Sequence, residues 1–173
     1  MNLDFKEHLP HDFSSNSRVW IYQSNRIFTL HEAFQIEDIL KTFVTTWQSH
    51  GTPVTGYANL FFGQFIVLIA DERATGVSGC STDSSVRMIK DIEQLYNVHL
   101  FDRQLLAFVA KERVQLIPMA QLNYAIQNNF ISGDSLYFNN TVQDLSELKA
   151  RWLIPVKDSW LARRVSFTGI TPD

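Results

Sequence analysis

Residues 78–85 read Ser-Gly-Cys-Ser-Thr-Asp-Ser-Ser, with four serines and a threonine in eight positions. They follow the apolar run Phe65–Ala70 and precede a helical pattern over 82–97. A strand therefore hands over to a helix through small polar residues. Backbone N–H groups left free at a helix N-terminus attract anions, and the helix dipole adds to the attraction. Serine and threonine hydroxyls multiply the donors. This makes Ser78, Gly79, Ser81, Thr82, Asp83, Ser84 and Arg87 candidate ligand-binding residues for a phosphate, a carboxylate or another small anion. The competing reading is structural. Serine and aspartate are ordinary helix caps, and the Asp83 carboxylate would repel an anion. No lysine lies in the stretch, and Arg73 and Arg87 are its nearest cations in the sequence.

Cys80 adds a covalent possibility. A thiol at a helix N-terminus has its thiolate stabilised, which favours nucleophilic chemistry if a base is near. The expected topology brings His50 to the same sheet edge, with Asp71, Glu72, Asp83 and Arg18. Cys80 as nucleophile, His50 as base and Asp71 as orienter would give a cysteine-dependent hydrolase or transferase. Against this, a lone cysteine is most often a small buried hydrophobe, and His50 could simply end a helix.

The elements that must position these groups can be read in order. Residues 1–17 form a polar lead-in broken by Pro10 and Ser14-Ser15-Asn16-Ser17. His8 and His11 stand three apart, but Pro10 between them prevents one helical face from presenting both, so no metal site is expected. Arg18 to Phe28 predicts a strand with a bend at Ser24-Asn25. Thr29 with Glu32 is a capping box. Ile36, Ile39, Leu40, Phe43, Val44 and Trp47 then recur at helical spacing, and Gly51 and Pro53 predict the helix stop. Val54–Phe62 and Gln64–Asp71 predict a hairpin around Gly63. Val86, Ile89, Ile92, Leu95 and Tyr96 predict a second amphipathic helix. Gln104–Ala110 and Val114–Ile117 predict a last strand pair turning at Lys111-Glu112. Strand, helix, strand, strand, helix, strand is the split βαβ order of a ferredoxin-like α+β fold, expected over 18–118. Residues 119–173 are expected to form a partly helical extension, with helices near Ala120–Phe130 and Asp144–Trp152. Its rings Tyr137, Phe138, Trp152 and Trp160 need burial, on the sheet or in a homo-oligomer.

Composition narrows the function class. The chain has 173 residues, 45% of them hydrophobic, 19% charged and 13% aromatic. That supports a real core and excludes disorder. A net charge of −3 argues against a general nucleic-acid binder. Val19-Trp20-Ile21-Tyr22 and Gly63-Gln64-Phe65-Ile66-Val67 faintly echo RNA-recognition strands, but the basic residue and the aromatic spacing are wrong. One cysteine excludes an intramolecular disulfide and fits a reducing compartment. The N-terminus lacks a signal-peptide pattern, and no apolar run approaches membrane-span length, so a cytoplasmic protein without membrane partners is expected. Phosphate-loop, dinucleotide, zinc and EF-hand patterns are absent, and no cofactor is expected.

Several phrases together carry a resemblance: Arg18-Val19-Trp20-Ile21-Tyr22-Gln23, Ser49-His50-Gly51, Phe65 to Glu72, Ser78 to Val86, Phe101-Asp102-Arg103, Phe138-Asn139-Asn140 and Lys157-Asp158-Ser159-Trp160. Spanning about residues 18 to 164, the chain resembles a small family of uncharacterised bacterial proteins often labelled "ABC transporter ATPase". That label implies ATP hydrolysis, which the missing phosphate loop does not support. The resemblance implies no catalytic residues, only that these phrases meet in space. Three functions compete, in order: a binding or regulatory module with a pocket at the tip of the 82–97 helix, a Cys80–His50 enzyme, and an assembly protein acting through residues 119–173.

Overall fold

The computed structural model describes residues 1–165, so the last eight residues of the expected extension lie outside the described residues. The fold is α+β with antiparallel sheets, and the chain divides into two compact units. The first comprises residues 2–102 and 140–149, the second Met1, residues 103–139 and, among the described residues, 150–165.

In the first unit, β1 (Arg18–Gln23) leads to α1 (Leu30–Thr46), a small hairpin of β2 (Gln48–Ser49) and β3 (Thr52–Pro53), then β4 (Thr55–Phe61), β5 (Phe65–Asp71) and α2 (Gly79–Tyr96). The sheet order is β1-β5-β4. Every residue of β5 is buried, as its unbroken apolar run requires of a central strand. Ile66 and Leu68 share a core with Ile36 and Leu40 of α1 and Ile89 and Ile92 of α2. The Thr29–Glu32 capping box forms as expected. Arg26 pairs with the Glu32 carboxylate at 2.8 Å and also donates to the Tyr96 carbonyl, tying the start of α1 to the end of α2.

The lead-in is pinned rather than loose. Phe5 and Leu9 are buried, and the Tyr57 hydroxyl donates to the His8 carbonyl.

Three expectations are corrected. First, α1 stops at Thr46, not near Gly51. Thr45 and Thr46 turn their hydroxyls back onto carbonyls of their own last turn, and Trp47 is drawn into the core. His50 and Gly51, at φ 51° and 79°, instead make the turn between β2 and β3. Second, α2 starts at Gly79, three residues before the expected 82, so Gly79, Cys80 and Ser81 lie in the first turn of the helix and not in a loop. Third, the four-stranded ferredoxin-like sheet does not form. The edge of β1 where its fourth strand would pair is taken by residues 143–145: Val19 N–H donates to Gln143, and Leu145 N–H to Ser17.

The second unit holds β6 (Leu105–Ala110), β7 (Arg113–Pro118), α3 (Leu122–Gln127), β8 (Leu136–Phe138) and β9 (Leu153–Pro155). Between β8 and β9 runs α4 (Leu145–Arg151), counted with the first unit through Lys149. The sheet order is β7-β6-β8-β9. The turn at Lys111-Glu112 is where the sequence put it, with both residues in the left-handed region. The expected helix over Ala120–Phe130 shortens to α3 after a 3-10 turn, and Asn129, at φ 58°, ends it. Phe138 meets Trp152 and Tyr137 meets Phe108 inside this unit. Burial pushes the Tyr137 phenol up to about 12.

Candidate functional site

The hydroxyls at the tip of α2 are taken up by the helix's own backbone. Ser78 is the N-cap: its Oγ accepts from the Ser81 amide at 3.3 Å, and the Ser78 amide donates to Ser81 Oγ at 2.8 Å. The Ser81 and Thr82 hydroxyls donate to the Ser78 carbonyl, Ser84 to the Ser81 carbonyl and Ser85 to the Thr82 carbonyl. The serine-rich run thus serves its own backbone. A second element fixes the same turn: the buried Trp47 indole N–H donates to the Ser81 carbonyl at 2.9 Å. Gly79, Asp83 and Arg87 are exposed, and Arg87 makes no ion pair among the described residues.

Cys80 is exposed in the first turn of α2, and His50 is exposed at the β2–β3 turn. Neither side chain makes a hydrogen bond among the described residues. The Asp71 carboxylate is engaged elsewhere. Buried at the end of β5, it accepts from Arg73 Nε, from the Arg73 amide and from the Ser14 amide, and the Arg73 guanidinium holds its carboxyl down at about 2. Asp71 therefore orders the lead-in instead of orienting an imidazole. Among the described residues no cluster of three or more His, Cys, Asp or Glu is placed to hold a metal, and no helix is long and apolar enough to cross a membrane.

A groove lies in the second unit, between β7 and α3. Its volume is about 700 Å3, and Lys111, Arg113, Gln115, Leu116, Tyr124 and Phe130 are among its lining residues. Tyr124 and Phe130 are 64% and 66% exposed, yet their rings stack at 6.5 Å with a 26° tilt. Local structure sets this pair. The Phe130 amide donates to the Ala125 carbonyl and the Asn129 amide to the Ile126 carbonyl, the Schellman end of a helix, which folds Phe130 back over Tyr124. Arg113 leads β7 out of the turn, and Lys111 sits in the turn itself. Neither cation has an ion-pair partner among the described residues.

Charge is unevenly divided between the two units. Residues 103–139 and 150–165 carry seven Lys and Arg against three Asp and Glu. Residues 2–102 and 140–149 carry eight against fourteen. The overall charge of −3 conceals a basic second unit. The groove was missed in the sequence because its parts fall in three separate segments. The available signals were Asn128-Asn129 as a helix end and Lys111 and Arg113 flanking a tight turn. No protein-family model, no curated protein and no solved structure matches this chain.

Proposed function

We propose that this protein is a binding module whose anionic ligand sits in the groove between β7 and α3. One observation carries the reading: two unpaired cations, Lys111 and Arg113, share a groove of about 700 Å3 with an exposed, stacked ring pair. Cations supply the attraction for an anion, and the ring faces supply apolar area for the rest of the ligand. The ligand class is the one read from the sequence, with its seat moved. At the tip of α2 the hydroxyl hydrogens already point to helix carbonyls, so an anion there would compete with bonds the helix has made. A cysteine-dependent hydrolase or transferase is the weaker reading: Cys80 is exposed, but no hydrogen bond joins it to His50.

The test is thermal stabilisation by citrate, phenyl phosphate and poly-glutamate. A ligand that binds only the folded form stabilises by about 2.7 kcal/mol at a hundred times its Kd. The expected result is a rise in Tm with at least one probe, lost in the Lys111→Glu/Arg113→Glu double variant. No rise with any probe, or a rise that the double variant keeps, rejects the groove.

A further inference from the structure

The groove has a feature a small-anion site does not need: it reaches the edge of a strand that has no further strand neighbour among the described residues. In the sheet order β7-β6-β8-β9, β7 is an end strand. Its two-residue turn, with Lys111 and Glu112 at φ 49° and 59°, makes Ala110 and Arg113 the closing hydrogen-bonded pair. Antiparallel pairs alternate between bonded and non-bonded. Phe108–Gln115 and Leu106–Ile117 are therefore bonded, while Val109–Val114 and Ala107–Leu116 are not. Val114 and Leu116 thus direct their N–H and C=O groups away from β6. Gln115 Nε2 donates to the Leu116 carbonyl at 3.3 Å, which fixes that carbonyl on the outer side. Ala110, Arg113, Gln115 and Ile117, which share one face of the hairpin, line the groove, and so does Leu116 from the opposite face. The groove therefore lies over that face and reaches the strand's outer edge at Leu116. Pro118 has no N–H and ends the open stretch.

We propose that this edge takes one more strand, an extended acidic peptide segment that pairs with Val114 and Leu116. The proposal rests on the groove being an anion site. Charge complementarity selects the occupant. The lining holds two cations and no carboxylate, and Glu112, at the turn apex, lies outside it. Strand addition lets main-chain bonds give affinity and alternate side chains give specificity. Carboxylates fall beside Lys111 and Arg113, and an apolar side chain meets the Tyr124–Phe130 rings. A second copy of this chain is the poorer occupant, because it would bring its own Lys111 and Arg113 to the same edge. At about 3.3 Å per residue, the four residues from 114 to 117 offer about 13 Å of ladder.

The first arm of the test keeps the protein unaltered and changes the peptide, and the second repeats the titration with the Lys111→Glu/Arg113→Glu variant. A fluorescein-labelled eight-residue peptide alternating Glu with Val is titrated into the full chain. A second peptide carries N-methyl groups on alternate residues, which removes ladder donors and keeps the charge. Two such peptides, methylated in the two registers, cover both pairings. The expected result is binding of the parent peptide, weakened about tenfold or more by methylation in one register. Amide hydrogen exchange should slow at Val114 and Leu116 when the parent peptide binds. Equal binding of all three peptides, or unprotected Val114 and Leu116 amides, overturns strand addition; the groove reading survives if the Lys111→Glu/Arg113→Glu variant still loses the peptide. Parent-peptide binding that the double variant retains overturns both. A dimer in sedimentation that the peptide cannot dissociate makes a second copy the occupant, and overturns the acidic-peptide assignment.

Discussion

Arg73 grips both carboxylate oxygens of Asp71 through its Nε, at 3.0 and 2.8 Å, from two residues further along the chain. The guanidinium also donates to the Asp12 carbonyl, and Asp71 accepts from the Ser14 amide, so the pair fastens residues 12–14 to the end of β5. Because the Asp71 carboxyl is lowered to about 2 in the fold, its contribution is present above the ordinary carboxylate range. That contribution is lost as pH falls towards the folded value. Glu32, lowered to about 2 chiefly by its bond from Arg26, loses its contribution in the same window. Wild-type Tm should therefore fall between roughly pH 4 and pH 2. Asp71→Asn should cost about 1–3 kcal/mol at pH 7 and flatten part of that fall. Parallel acid profiles for the two proteins would show that the clamp adds nothing.

Trp47 and Gly56 make a second testable fit. A Cβ at Gly56 would lie 2.6 Å from the Trp47 ring, closer than carbon atoms approach, and the ring is buried against Val54 and Ala70. Gly56→Ala should destabilise by about 1–3 kcal/mol through overpacking. Trp47→Phe keeps most of the apolar volume but strands the Ser81 carbonyl of one donor, and should cost about 1 kcal/mol. Urea denaturation measures both. A Gly56→Ala midpoint equal to wild type would mean that the indole has room to shift.

The tip of α2 separates a capping role from a chemical one. Ser78→Ala removes the N-cap and should cost about 0.5–2 kcal/mol, whereas Cys80→Ser, at an exposed position, should leave stability within about 0.5 kcal/mol. Since no hydrogen bond joins His50 to Cys80, His50→Ala should leave the rate of Cys80 alkylation in the native protein unchanged at about pH 7. A rate lowered about tenfold or more by that substitution would restore the thiol–imidazole pair as a working unit.

What could be read from residue order was what neighbours in the chain decide. Thr29 and Glu32 are three apart and form their box, β5 announces itself by six consecutive apolar residues, and Lys111-Glu112 turns as expected. What could not be read was decided by distant partners. The end of α1 depends on where Trp47 is buried and on Ser81, 34 residues later. The ferredoxin-like expectation failed at one edge, because the segment that covers β1 lies more than 120 residues beyond it. At the helix tip, hydroxyls that read as spare donors are spent on the helix's own carbonyls, a choice between capping and ligand binding that residue types alone do not make. The groove joins a turn, a strand and a helix end, none of which is unusual alone.

The cover over β1 has a consequence for synthesis. A nascent chain emerges N-terminus first, and Gln143 and Leu145 reach β1 only after all of residues 103–139 have left the ribosome. Until then one side of the first sheet stands open to any passing strand. A translation product halted after residue 118 would be an unfinished sheet with a bare, adhesive flank, not a smaller version of this protein.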